Sequence, residues 1–186
     1  MNWIFSVFVV AAVIHVLEEY AYPGGFSDWM RNFNPRFAPW VTARFAMIIN
    51  GLFLLLCVMG AMVAGQGLVF SLSVASLLFF NGLIHLAGTI RARRYVPGVV
   101  SGVLLYMPLS LYAFYLFAGA GRLTLAGCAI AGLLGVLYQA IPIGYLRLSS
   151  IAKRPWRDGS WNITARMMET RHANQPVQAR TILCQV

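Results

Sequence analysis

Three long stretches without a charged residue constrain this chain more than any other feature. Residues 45–90, 95–121 and 123–146 contain no Asp, Glu, Lys or Arg. Soluble domains typically carry about 25% charged residues, whereas this chain of 186 residues is 10% charged and 60% hydrophobic. A helix needs about 20 apolar residues to cross a bilayer, so each stretch is long enough. The pattern predicts an integral membrane protein.

The first charge-free stretch is about twice as long as one span, so it must turn back once. The Gly-containing segment 64–67 is the natural turn. Lipid leaves exposed strand edges without hydrogen-bond partners, so the spans are expected to be helices. We expect an all-α polytopic transmembrane bundle over residues 1–148, followed by a basic tail at 149–186. The five predicted spans cover residues 3–22, 42–63, 68–90, 97–118 and 123–146.

Basic residues cluster at one end of the predicted bundle. Arg or Lys residues follow spans 1, 3 and 5, whereas the opposite loops contain only Arg122. In a membrane protein these positions matter more than the net charge of +9, so the charge does not indicate nucleic-acid binding. The positive-inside rule predicts an external N-terminus and a cytoplasmic C-terminus, in the inner membrane of a bacterium.

Two further segments carry packing predictions. Residues 23–41 combine Pro and Gly with interleaved aromatic side chains, which is typical of a loop anchored in the headgroup zone. In span 5, Gly127, Ala131 and Gly135 recur at four-residue spacing. Small residues at that spacing allow a neighbouring helix to approach closely.

A polar cluster in span 1 is the strongest functional signal. His15, Glu18 and Glu19 stand at positions i, i+3 and i+4, which share one face of a helix. One ionised side chain near mid-helix costs about 2.5–3.5 kcal/mol on insertion scales, so two glutamates need compensation. Protonation or a position near the membrane surface is one explanation, and a functional site is the other.

Other spans bring polar residues to a similar depth. His85 lies six residues before Arg91 in span 3, which matches the depth of His15 from the basic end. We therefore expect the two histidines to meet. The supporting polar layer is predicted to comprise Asn50, Asn81, Gln139 and Tyr95.

Imidazole and carboxylate groups that project inward from facing helices are how helical bundles build metal sites. Such a donor set suits Zn, Fe or Mn. The sequence predicts that His15, Glu18, Glu19 and His85 form one catalytic and metal-binding site. One of the two carboxylates could instead act as a general base.

Three motifs in order resemble the HXXEE domain family. They are His15-Val16-Leu17-Glu18-Glu19, the segment from Asn81 to His85, and Tyr95-Val96-Pro97-Gly98. Pro108 in span 4 is also similar, and the resemblance covers about residues 10–120. It implies a membrane protein of unknown function, so it supports the choice of residues and leaves the reaction open.

Several functions remain open at this point. A metal-dependent hydrolase or oxidoreductase acting on a hydrophobic small molecule fits the His and Glu residues, and whether the chain is an enzyme is itself undecided. Metal-free acid–base catalysis, as in an isomerase or cyclase, uses the same residue types. Intramembrane His and Glu also mark ion pathways, and a structural role for the polar layer is the fourth possibility. Substrate, metal identity and oligomeric state cannot be read from the sequence.

Overall fold

The computed structural model describes residues 1–152, so most of the predicted basic tail lies outside the described residues. This part of the chain is predominantly helical and contains no strand. Five of its helices are long and apolar enough to cross a membrane, as predicted. The chain is therefore an integral membrane protein. Its helices are α1 (Trp3–Ala21), α2 (Gly25–Phe33), α3 (Ala43–Val63), α4 (Leu68–Ala92), α5 (Val99–Gly119) and α6 (Leu125–Ala152).

The helix boundaries follow local signals in the sequence. Thr42 caps the start of α3, because its hydroxyl accepts a hydrogen bond of 3.1 Å from the backbone N–H of Phe45. The turn between α3 and α4 lies at the predicted Gly-containing segment, where Gly67 N–H donates to Val63 O at 2.7 Å. The ends of α1 and α4, the starts of α3 and α5 and the end of α6 consequently lie on one side. We call this side the basic end.

Helix α4 is the centre of the bundle and packs against α3, α5 and α6. Its N-terminal half is buried on every side over residues 71–78, including Leu72, Ala75 and Leu78. The small residues of α6 make the close approach that their spacing predicts. Ala131 is fully buried, and a methyl group added at Gly135 would overlap Ser76.

Helix α5 contains a π-helical turn over Gly102–Tyr106. The N–H of Met107 donates to the carbonyl of Gly102, five residues back rather than four. Pro108 follows directly, and a proline cannot donate the normal helical hydrogen bond. Wider turns of this kind occur frequently at functional sites, and this one ends at Tyr106, which packs against the polar cluster.

The segment expected to be a loop at residues 23–41 differs from the prediction, because Gly25–Phe33 forms helix α2. Gly24 adopts a left-handed conformation with φ of 76°, which lets the chain turn sharply after α1. The rings of Phe26, Trp29 and Phe33 stack in succession along α2. Phe26 also lies 5.2 Å from the ring of His85, so α2 covers the cluster at the basic end.

Candidate metal centre

Helices α1 and α4 bring two histidines and one glutamate together inside the bundle. Oε1 of Glu19 lies 3.5 Å from Nε2 of His15 and 3.3 Å from Nε2 of His85. The two imidazole rings are nearly perpendicular, with centroids 4.9 Å apart. All three residues are buried, with 6% or less of each exposed. Among the described residues, one donor atom from each lies within 4.8 Å of the others, as a shared metal ion requires.

The separations between Glu19 and each histidine are compatible with a shared metal ion. Two donors that bind one ion at about 2.1 Å lie about 3.4 Å apart in tetrahedral geometry. The two measured separations to Glu19 are 3.5 Å for His15 and 3.3 Å for His85. An ion held by three protein donors would keep a fourth position open, as catalytic rather than structural zinc sites do.

The second oxygen of Glu19 is held by a neighbouring helix. Nδ2 of Asn50, in α3, donates to Oε2 of Glu19 at 2.9 Å. This bond leaves Oε1 facing the two histidines. Hydrogen bonds of this kind orient metal-binding carboxylates in other proteins. Asn50, predicted as part of the polar layer, therefore contacts the cluster directly.

The nitrogen of His15 that faces Glu19 has no hydrogen-bond partner within the described part of the chain. An unsatisfied buried polar atom costs about 1–3 kcal/mol. Aromatic rings enclose the same imidazole, with Tyr106 at 4.5 Å and Phe53 at 6.4 Å between centroids. His15 is thus enclosed by aromatic rings, with Nε2 directed toward Glu19.

Glu18 lies on the same helix face but points to a different partner, the start of α5. Its Oε1 accepts hydrogen bonds from Tyr95 Oη at 2.7 Å, Gly98 N at 3.1 Å and Val100 N at 3.0 Å. Its Oε2 accepts from the backbone N–H of Ser101 at 2.7 Å and from the Ser101 hydroxyl. A helix N-terminus presents free N–H groups and a partial positive charge, which favour a carboxylate.

Ser101 links the two carboxylate environments. Its hydroxyl donates to Glu18, so its oxygen is free to accept the hydrogen of His15 Nδ1, 2.9 Å away. This arrangement selects the tautomer of His15 whose Nε2 carries a lone pair. That lone pair faces Oε1 of Glu19, 3.5 Å away. A histidine whose second nitrogen is fixed by a hydrogen bond is typical of metal ligands.

The Tyr95-Val96-Pro97-Gly98 segment forms the turn that allows this contact. Gly98 has a φ of 92°, and a side chain there would come within 3.0 Å of both His15 and His85. Glycine is therefore required for conformation and for space. Burial and the hydrogen bond to Glu18 raise the pKa of Tyr95 to about 12, so this phenol stays protonated as a donor.

The structure places the predicted site residues in three groups. His15, Glu19 and His85 come together as one cluster, whereas Glu18 binds the α5 turn together with Tyr95. The other predicted layer residues, Asn81 and Gln139, line a cavity beside His15. All eight predicted residues thus belong to the cluster, to the Glu18 contact or to that cavity.

Two residues that complete the site, Ser101 and Tyr106, were missed from the sequence. Ser101 could have been predicted from the sequence, because it places a hydroxyl in the first turn of span 4, shortly after the Tyr95–Gly98 segment. No feature of the sequence marks Tyr106 as a site residue, since an aromatic residue in an apolar span ordinarily packs against lipid or core.

The fold and the site define a five-span helical membrane protein with a buried His–Glu–His cluster. Residues 6–113 match the family described as "Protein of unknown function with HXXEE motif". The match covers more than half of the chain, so the protein belongs to the HXXEE family. No curated protein and no solved structure matches it.

Proposed function

We propose that this protein is a membrane enzyme in which His15, Glu19 and His85 bind one divalent metal ion. The observation that supports the proposal most strongly is the convergence of three buried donor atoms, one of which has no partner among residues 1–152. A neutral imidazole nitrogen that presents its lone pair to a buried carboxylate needs a proton or a cation between the two groups. Zn, Fe or Mn fits two imidazoles and one carboxylate.

The open position gives the bound ion a chemical role. A metal with three protein donors and one free position can activate water for hydrolysis or participate in oxidation. Two histidines with one carboxylate are common to catalytic zinc sites and to non-haem iron sites. We therefore propose a hydrolase or oxidoreductase, acting on a hydrophobic small molecule because the site is inside the apolar bundle.

Glu18 has a positioning role in this proposal. It neutralises the N-terminus of α5 and orients His15 through Ser101. Asn50 orients Glu19 in the same way, by donating a hydrogen bond to its Oε2. Replacing groups of this kind typically lowers metal affinity about 10–100-fold without removing a ligand. The paired glutamates of the HXXEE motif thus have separate tasks, one at the helix terminus and one at the metal.

Water and ions reach the cluster from the basic end. A cleft of about 400 Å³ there has Glu19 and Asn50 in its wall, and Asp28 and Arg31 of α2 at its rim. The 3.2 Å ion pair between Asp28 and Arg31 keeps this rim polar. By the positive-inside rule we propose that the basic end faces the cytoplasm of a bacterial cell, with the N-terminus outside.

Metal content tests the proposal. The purified wild type should contain one Zn, Fe or Mn ion per chain by elemental analysis, and His15→Ala and His85→Ala should each lose it while remaining helical and monodisperse. The matched control is His172→Ala, which removes the third histidine of the chain and should keep the ion. A metal-free wild type, or unchanged metal in both site variants, contradicts the proposal.

One alternative has structural support. Glu19 lies within hydrogen-bonding or near-hydrogen-bonding distance of both imidazoles, at 3.3 and 3.5 Å. A carboxylate between two histidines can also move protons in metal-free isomerisation or cyclisation. Chelation separates the two functions, because a chelator abolishes activity only if the metal is required.

A further inference from the structure

A cavity of about 140 Å³ lies beside the cluster, between α3, α4 and α6. It is distinct from the cleft at the basic end, although Asn50 lies in the walls of both. Apolar side chains form most of its wall, so it is suited to an apolar ligand. The residues that matter here are His15, Asn50, Asn81, Phe53, Leu56 and Leu77.

The cavity faces the lipid between α3 and α6. Leu52 of α3 and Ile141 of α6 line it and are 53% and 66% exposed, so its rim lies on the outer surface of the bundle. At the basic end, the rings of Phe45 and Tyr145 stack at 5.7 Å and join the same two helices. Access is therefore lateral, from the bilayer.

Pro142 is also part of the cavity wall, in the middle of α6. A proline inside a helix removes one hydrogen bond and weakens the helix locally. This weak point lies where α6 would have to move outward to admit a ligand from the membrane. The wall of the cavity is thus least constrained on its lipid side.

The volume limits the ligand. An apolar protein cavity of about 150 Å³ binds benzene, so a cavity of about 140 Å³ accepts one ring or a chain of similar bulk. A larger lipid-soluble molecule would leave the rest of its body between α3 and α6, in the bilayer.

The inner end of the cavity is polar. Oδ1 of Asn81 is buried without a hydrogen-bond partner within the described ranges, and His15, whose Nε2 also lacks a partner there, lines the same cavity. Buried polar atoms require partners. If His15 binds the metal, the Asn81 amide is left for the ligand. A hydroxyl group both donates and accepts, so it can pair with either end of that amide.

We propose that this cavity is the substrate site and that the substrate is a lipid-soluble alcohol. Its hydroxyl group pairs with Asn81 beside the metal centre, and the adjoining apolar group, of about six carbon atoms, fills the space lined by Phe53, Leu56 and Leu77. The proposal rests on the metal-dependent function above, since it identifies the class of molecule on which that centre acts.

Binding of two fluorinated probes tests this inference. The wild-type protein in lipid nanodiscs is titrated with 4-fluorobenzyl alcohol and with 4-fluorotoluene, and bound probe is followed by fluorine NMR. We expect saturable binding of both probes. Leu56→Phe fills the cavity and should abolish it, whereas Leu55→Phe, on the exposed side of the same helix and outside the cavity, should not.

Asn81→Leu tests the polar contact. It should weaken the alcohol about fivefold, the value of one hydrogen bond, and leave the toluene unchanged, which also shows that the cavity is intact. The inference is overturned if Asn81→Leu weakens both probes equally or if the wild type binds neither probe saturably. It is also overturned if Leu56→Phe and Leu55→Phe have the same effect on binding. Metal content is measured on the same samples. A metal-loaded protein without probe binding refutes only the substrate site, and probe binding without metal refutes only the metal centre.

Discussion

The separation of roles between the two glutamates gives the most discriminating prediction. Glu18→Gln should destabilise the protein, whereas Glu19→Gln should remove the metal and leave the fold intact. The two changes are chemically identical and lie on adjacent residues of α1. Any difference between them therefore reports the surroundings of each carboxylate.

The magnitude for Glu18→Gln follows from its hydrogen bonds. Glutamine keeps one oxygen, which can still accept from Tyr95, Gly98 and Val100. Its amide nitrogen then faces the two donors of Ser101 and accepts from neither. Hydrogen bonds to a charged group are worth about 1.5–3 kcal/mol each. Because Glu18 is only partly buried, we expect a loss at the lower end, about 3 kcal/mol.

Unfolding in mixed detergent micelles measures this loss. Tyr95→Phe is the reference, because it removes one hydrogen bond to the same carboxylate at a partly exposed position and should cost about 1.5 kcal/mol. Metal affinity in folded Glu18→Gln should fall about 10–100-fold through the Ser101 link to His15. Separate roles for the two glutamates are refuted if Glu18→Gln is no less stable than Tyr95→Phe, or if it loses the metal as completely as Glu19→Gln.

Three further predictions concern neighbouring positions. Gly98→Ala should lower stability by about 2–4 kcal/mol in the same unfolding assay, from its positive φ and its overlap with His15. Asn50→Leu should lower metal affinity at least tenfold, measured by competition with a chelating dye, while helix content by circular dichroism is unchanged. Gly135→Val should destabilise α6 packing by several kcal/mol, while Gly132→Val, where a side chain meets open space, serves as its control.

The sequence predicted the bundle well because its signals are long and additive. Charge-free stretches and one Gly-containing turn located the spans to within a few residues over most of the chain. The short helix Gly25–Phe33 was missed because flanking Pro and Gly residues indicate a loop. Its amphipathic pattern emerges only over nine residues, and contacts with Gly88 and His85 position it.

The sequence predicted that the site residues lie at one depth in the bundle, but it did not predict the separate partners of Glu18 and Glu19. Matched distances from the basic end were enough to bring His15 and His85 together. Helical spacing puts both glutamates on the face of His15 and cannot distinguish them. What separates them is the start of α5, where Glu18 meets free N–H groups. The position of the α5 start depends on how α5 packs and on the turn at Gly98. The sequence of α1 contains no information about either.

X-ray absorption spectroscopy of the metal-loaded protein reports the ligands of the proposed centre itself. We expect one ion per chain with two imidazoles and one carboxylate in its first shell, at about 2.0–2.2 Å. Glu19→Gln should lose or alter this shell, and Glu18→Gln should keep it. A wild-type protein that binds no ion, or a shell with fewer than two imidazoles, would contradict a metal centre at His15, Glu19 and His85.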